Sequence, residues 1–229
     1  MVSVFKIQCG AFVFHETSVE WDKEEIGRRE TKMDILIEEL NLLWEPIRPY
    51  LARQVEELYG RRDGHVLEIG PFSGLIFSLA QKKVGQSFLI AAFPQAAVPL
   101  YRQEARKHGL EDRVRIIESD SSLIGIADES VDLAIFRGAL FFPTLFRVDF
   151  GAIYRTLRTA GIAFVGGGFG KHTPSEVISQ IGKRSEQLNT AMGRVRVTVE
   201  SVQDQLRSSH LEGKCEITTE GGLWVVMKK

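Results

Sequence analysis

The sequence predicts a doubly wound α/β fold, a seven-stranded and mostly parallel sheet with helices on both faces. Three observations carry that expectation. From His65 onward, short apolar runs alternate with stretches of helical period, the pattern of parallel strands joined by crossover helices. The first of these runs leads into a glycine-bearing turn, Val66–Gly74 (VLEIGPFSG), that opens a helix; sheets of this kind bind ligands there, beyond the carboxyl ends of their strands. A chain of 229 residues, 44% of them hydrophobic, suffices for one sizeable core with an added subdomain.

The elements follow in order. Residues 2–14 (VSVFKIQCGAFVF) mix β-branched and aromatic side chains around Gly10, as a short hairpin would. Met33, Ile37, Leu40 and Trp44 share one helical face, and after Pro46 the period resumes with Ile47, Leu51, Val55 and Leu58 until Gly60 and the polar turn RRDG end it. Residues 1–60 therefore read as a mainly helical N-terminal cap, and residues 61–229 as the sheet domain. Within the latter, HVLEIG is a buried strand and Ser73–Lys83 a helix. SFLIAAF (Ser87–Phe93) is the second strand, Pro99–His108 a helix, VRIIES (Val114–Ser119) the third strand and VDLAIF (Val131–Phe136) the fourth. Phe146, Phe150, Ile153 and Leu157 mark a helix before the fifth strand, GIAFVGGG (Gly161–Gly168). Thr173-Pro174-Ser175-Glu176 has the N-cap, first-position proline and third-position glutamate of a helix start, and Ser201-Val202-Gln203-Asp204 is a second start of the same kind. The tail KCEITTEGGLWVVMKK places two β-rich runs around Gly221-Gly222, an antiparallel C-terminal hairpin.

Composition excludes several function classes. Lys+Arg at 29 nearly balance Asp+Glu at 30, a formal charge of -1, so no electrostatic case for nucleic acid exists. The basic pairs Lys183-Arg184 and Arg28-Arg29 read as solvated helix faces. No apolar run approaches the roughly 18 residues of a membrane span, and MVSVFKIQ lacks the features of a secretory signal. The two cysteines, Cys9 and Cys215, lack metal-ligand spacing. Reduced thiols and a cytoplasmic location are expected.

The chemistry concentrates at the glycine turn. Gly70 and Gly74 stand where a tight turn and a close helix approach are needed, and Ser73 can cap the following helix. Glu68 lies within the apolar strand, where a carboxylate is costly unless paired or hydrogen-bonded. A cationic ligand would meet that need, and so would local N–H groups. The turn suits a dinucleotide poorly. Against G-x-G-x-x-G it reads G-P-F-S-G-L, with Phe72 at the glycine that admits a pyrophosphate and Leu75 at the third. A nicotinamide-dependent oxidoreductase is disfavoured for the same reason.

Taken with their order and spacing, VLEIGPFSG, HGLEDRVRIIESD (His108–Asp120), ADESVDLAIFRGAL (Ala127–Leu140) and the terminal hairpin resemble class I S-adenosylmethionine-dependent methyltransferases over roughly residues 61–229. The resemblance implies a Rossmann-like methyltransferase fold and S-adenosylmethionine as cofactor. It would place Glu68 near the cofactor's amino group, and Gly70, Phe72, Ser73 and Gly74 along its methionine and ribose. Asp120 and Ser121 would lie at the adenine, and Arg137 and Gly138 beside the methyl donor. This chain departs from the family at two of these positions. The second strand ends Ala91-Ala92-Phe93-Pro94-Gln95, with no carboxylate for the ribose, so Phe93 faces that part of the site and Gln95 offers one neutral hydrogen bond instead. Phe72 stands where the family often has a small residue, and its ring could pack as core, stack on the ligand or occlude it.

Methyl transfer from a sulfonium is a direct displacement that relies on alignment and requires no fixed catalytic set. His172, after the fifth strand, is the candidate base, against the alternative of a solvated loop histidine. Phe141 and Phe142, past the fourth strand, would line an acceptor pocket or pack as core, and Gly166–Gly168 would give room or merely end the strand. His15 and Trp21 belong to an N-terminal segment that lids the site in small-molecule methyltransferases. The expected activity is methyl transfer to a small-molecule acceptor, and the alternative is a catalytically silent binding protein of the same fold. The N-terminal hairpin offers a strand edge through which a second copy could form a homodimer.

Overall fold

The computed structural model describes residues 23–72 and 74–229, without the side chains of residues 23–31. The expected hairpin at residues 2–14, with Cys9, His15 and Trp21, and Ser73 itself lie outside the described residues, as do the side chains of Arg28 and Arg29; the helix after the glycine turn begins at Leu75 with Gly74 as its N-cap, not at Ser73.

Helix α1 (Lys23–Leu43) runs through Trp44 into a short 3-10 turn at Glu45–Ile47 and then α2 (Arg48–Tyr59). Ile37, Leu40, Trp44, Ile47, Leu51 and Val55 are buried, as their helical spacing predicts. Leu58 is not: it is 37% exposed, and Tyr59, one position on, takes the inward place. The sheet comprises β1 (His65–Ile69), β2 (Ser87–Ala92), β3 (Val114–Glu118), β4 (Val131–Arg137), β5 (Leu157–Gly168), β6 (Cys215–Thr218) and β7 (Gly222–Lys228), in the order β3-β2-β1-β4-β5-β7-β6. Strands β1 to β5 pair in parallel, while β7 is antiparallel to both β5 and β6. The doubly wound, mostly parallel sheet and its antiparallel hairpin are as expected. The order reverses between β1 and β4, and that switch point is where the glycine turn lies.

The crossover helices are α3 (Leu75–Gln81), α4 (Ala97–Lys107) and α5 (Phe150–Thr156), and α6 (Ser175–Ala191) and α7 (Val199–Ser208) follow β5. Four local expectations need correcting. Leu157 does not continue a helix: it turns extended (φ -66°, ψ 138°) and opens β5, whose register against β4 slips between Leu157 and Ile162. Leu157 is fully buried either way, so its apolar character could not separate the two readings. Thr173 does not cap α6. Pro174 holds the cap position without a side-chain bond, and Thr173 Oγ1 donates instead to the Phe169 carbonyl. Helix α7 starts earlier than the Ser201 signal, from Thr198, whose hydroxyl accepts from Ser201 N–H while the Ser201 hydroxyl accepts from Thr198 N–H. Ser201 is thus the inner member of a reciprocal cap, not the cap itself. Helix α4 starts at Ala97, so Pro99 sits within its first turn.

The buried side chains of α1 and α2 join those of the sheet in one core cluster. No helix among the described residues is long and apolar enough to cross a membrane.

Candidate functional site

The turn after β1 is held from below and from the side. Glu68 is fully buried, and its carboxylate accepts from the N–H groups of Gly74 (3.4 Å), Leu75 (3.2 Å) and Ile76 (3.1 Å), donors at the start of α3 that have no intrahelical partner. A carboxylate there also complements the helix dipole. Of the two ways to satisfy Glu68, local N–H groups are what the geometry shows. Burial pushes its carboxyl up to about 7, against the opposing pull of the Ile76 N–H, the Arg48 charge and the Tyr101 hydroxyl. From the side, Tyr101 Oη donates to the Gly70 carbonyl (2.9 Å) and Asn41 Nδ2 to the Pro71 carbonyl (2.7 Å).

Arg48 is the second clamp. It is buried, donates to Glu104 Oε2 (2.9 Å) and to the Asn41 carbonyl (3.1 Å), and lies so close to the turn that a Cβ on Gly74 would fall 2.5 Å from its Cζ. Gly74 also has φ +109°, which L side chains rarely adopt. The glycine thus admits the guanidinium. Arg48 carries no motif that marks it in the sequence, although it falls on the buried face of α2, four residues after Trp44 and four before Ala52.

Above the turn the space is aromatic. Phe72 is fully buried, with its ring 4.9 Å from Phe142, 5.8 Å from Trp44 and 6.3 Å from Phe146, centroid to centroid. A Cβ on Gly138, just past β4, would lie 2.5 Å from Phe72 Cδ2. Phe93 extends the cluster at the end of β2 through edge contacts with Phe136 (5.8 Å) and Phe146 (5.5 Å). The aromatic character of these positions was legible; that the rings pack on one another was not, because residues 72, 93 and 146 come from three separate connections.

Arg137, the last residue of β4, is 5% exposed. Its guanidinium lies 4.0 Å from the Trp44 ring centroid, and its Nε has no hydrogen-bond partner among the described residues. Burial, reinforced by the charge of Arg48, lowers its pKa to about 9, which still leaves it charged at neutral pH. Beside it, beyond the ends of β4 and β5, opens a cleft of about 90 Å³ lined by Trp44, Phe141, Phe142, Ser185, Asn189 and Arg194 among others.

The fold thus brings Gly70, Phe72, Gly74, Phe93, Arg137 and Gly138 around one turn. It leaves Asp120 and Ser121 at the surface after β3. The Asp120 carboxylate accepts from the N–H (2.8 Å) and hydroxyl of Ser122, which lower its pKa. Gln95 donates to Glu118 (3.2 Å). His172 is tied to α2: its Nε2 lies 2.7 Å from the Glu57 carboxylate, with Lys171 Nζ 3.1 Å from the same oxygen. These bonds, from His172 first and then Lys171, hold the Glu57 carboxyl at about 2. His172 does not line the cleft.

No protein-family model matches the chain, and no curated protein matches it. Solved structures do. A candidate S-adenosyl-L-methionine-dependent methyltransferase from Methanococcus maripaludis is similar over 98% of this chain and 97% of its own, at 22% identity and a TM-score of 0.68. Geranyl diphosphate C-methyltransferase from Streptomyces coelicolor, in complex with Mg2+, geranyl diphosphate and S-adenosyl-L-homocysteine, matches 77% of this chain and 76% of its own at 14% identity and TM-score 0.54. A SAM-dependent methyltransferase from Aquifex aeolicus matches 79% and 92%, at 15% and 0.53. At these identities the likeness establishes the fold, which is that of the class I S-adenosylmethionine-dependent methyltransferases.

Proposed function

We propose that the chain is a methyltransferase that uses S-adenosylmethionine to methylate a small-molecule acceptor. The observation that carries this reading is the placement of the cleft. It opens beyond the carboxyl ends of β4 and β5, beside the glycine turn at the switch point, in a fold similar to that of those methyltransferases. Gly70 and Gly74 let Phe136 and Arg48 close on the turn, which holds its backbone in place beneath the site. The cofactor would supply a sulfonium-bound methyl for direct displacement. The protein's share is alignment and exclusion of water. Gly70, Gly74 and Gly138 let Phe136, Arg48 and Phe72 pack tightly around the turn, Phe141 and Phe142 wall the acceptor side, and Arg137 fixes a charge at the junction. Asp120 and Ser121 after β3, with Phe93 after β2, are proposed for the adenosyl end. Ser73 is proposed for the turn.

The Phe72 ring stands between the turn and Gly138, so a ligand lying there requires that ring to turn away. The same buried ring favours the second reading, a catalytically silent ligand-binding protein of this fold. Isothermal titration with S-adenosylmethionine and S-adenosylhomocysteine tests both. Saturable heat with the native chain supports the methyltransferase. Heat with Phe72→Ala alone supports the silent protein. No heat and no thermal shift at millimolar ligand with either would remove the cofactor from the proposal.

A further inference from the structure

The buried guanidinium of Arg137 has a property that the methyl-transfer reading does not use. Among the described residues it forms no ion pair, its Nε is unpartnered, and its one aromatic contact, with Trp44, covers a face and not the N–H edge. The nearest other charges are already engaged: Arg48 with Glu104, and Glu68 with the N–H groups opening α3. A cation so far removed from water is costly unless an anion meets it. Among the described residues the cleft that Arg137 borders has no carboxylate in its lining, and its second charge, Arg194 at the rim 5.0 Å from the Phe141 ring centroid, is also positive.

A neutral donor faces the same space. The Ser185 hydroxyl accepts from Trp44 Nε1 (2.9 Å) and from Asn189 Nδ2 (3.2 Å). A hydroxyl has two acceptor positions and one proton, so both acceptor positions are used and, among the described residues, the proton is left for an acceptor. Trp44 links the two donors, with Arg137 over its ring and Ser185 on its N–H. The remaining walls, Phe141 and Phe142, are flat and apolar, and Gly167 keeps the floor open, since a Cβ there would lie 2.8 Å from the Phe141 ring.

We infer that this cleft is a binding site for a small carboxylate with a flat apolar body, held by Arg137 and Ser185 with Trp44, Phe141 and Phe142 around the body. As a binding site it stands on these contacts alone; as the identity of the methyl acceptor it rests on the methyltransferase reading. The carboxylate could belong to a free acceptor or to the methionine part of the cofactor, and the test separates these.

Benzoate and its neutral counterpart benzamide would be titrated calorimetrically into the full chain. Benzoate should bind at least about tenfold more tightly than benzamide, the range of a charge-assisted hydrogen bond. Arg137→Met should bring the ratio close to one, with an unchanged circular dichroism spectrum, while Arg137→Lys retains part of the preference. Equal binding of both probes, binding of neither, or an undiminished preference in Arg137→Met overturns the inference. Saturation with S-adenosylhomocysteine then assigns the source. Unchanged benzoate affinity supports a free acceptor carboxylate. Loss of benzoate binding overturns the acceptor assignment in favour of the cofactor's own carboxylate. Selective benzoate binding by a chain that takes no S-adenosylhomocysteine keeps the site and removes only the methyltransferase reading.

Discussion

Replacing Phe72 with alanine separates packing from ligand access. The ring is fully buried among Trp44, Phe142 and Phe146. Truncating such a phenyl group costs about 3–5 kcal/mol through lost burial and the cavity left behind, which in a chain of this size lowers Tm by about 8–16 °C at the middle of that range. Ligand access should change in the opposite sense. In the native chain, a ligand occupying the space beside Gly138 must first release the ring, and burial of a phenylalanine side chain is worth about 1.5–3 kcal/mol. The alanine variant does not bear that cost, so S-adenosylhomocysteine should bind it roughly ten- to a hundredfold more tightly. Urea unfolding followed by tryptophan fluorescence measures the first quantity and calorimetric titration the second. A stability loss below about 1 kcal/mol would refute the packing, since large core truncations do not come that low. The full stability loss with unchanged affinity would refute the claim that the ring stands in the ligand's place.

Three further outcomes follow from the same contacts. Glu68 has its folded-state pKa raised from 4.5 to about 7, so the folded chain holds more protons than the unfolded one between those values, and stability falls as pH rises through that window by roughly 3 kcal/mol at most; Glu68→Gln should flatten this part of the denaturation profile, and an unaltered slope would place the titration elsewhere. Gly74→Ala forces a Cβ to 2.5 Å from Arg48 Cζ at a φ of +109°, and should cost about 2 kcal/mol or more by urea unfolding while freeing Glu104 from Arg48; a neutral outcome would mean that the clamp is not tight. His172→Ala should leave ligand binding unchanged, because His172 faces Glu57 and not the cleft, and should let the Glu57 carboxyl titrate at higher pH by NMR.

The fold was legible because its signals are local. Each buried strand announced itself as an apolar run, and the turn after β1 by two glycines that the structure uses for close approach, Gly70 against Phe136 and Gly74 against Arg48. Errors arose where one residue type serves two structures. Leu157 is apolar whether it ends a helix or opens β5, and Ser201 signals a helix start whether it is the cap or its partner. The site was legible in part. Glu68 was marked as a buried carboxylate that needs a partner, but whether that partner is a ligand or the start of α3 depends on backbone geometry. Arg48, Ser185 and Arg194 went unread because their roles come from contacts across more than fifty residues of chain, such as Arg48 with Glu104 and Ser185 with Trp44.

Trp44 touches each of the pieces around the site. Its ring meets Phe72 edge-on at 5.8 Å, carries the Arg137 guanidinium at 4.0 Å, and donates through Nε1 to Ser185 on α6. One indole therefore senses both the glycine turn and the cleft. Trp44 is the shared neighbour: Phe72 packs on its edge and Arg137 on its face. A factor by which a ligand at either place alters affinity at the other must, by linkage, be returned equally in the reverse direction.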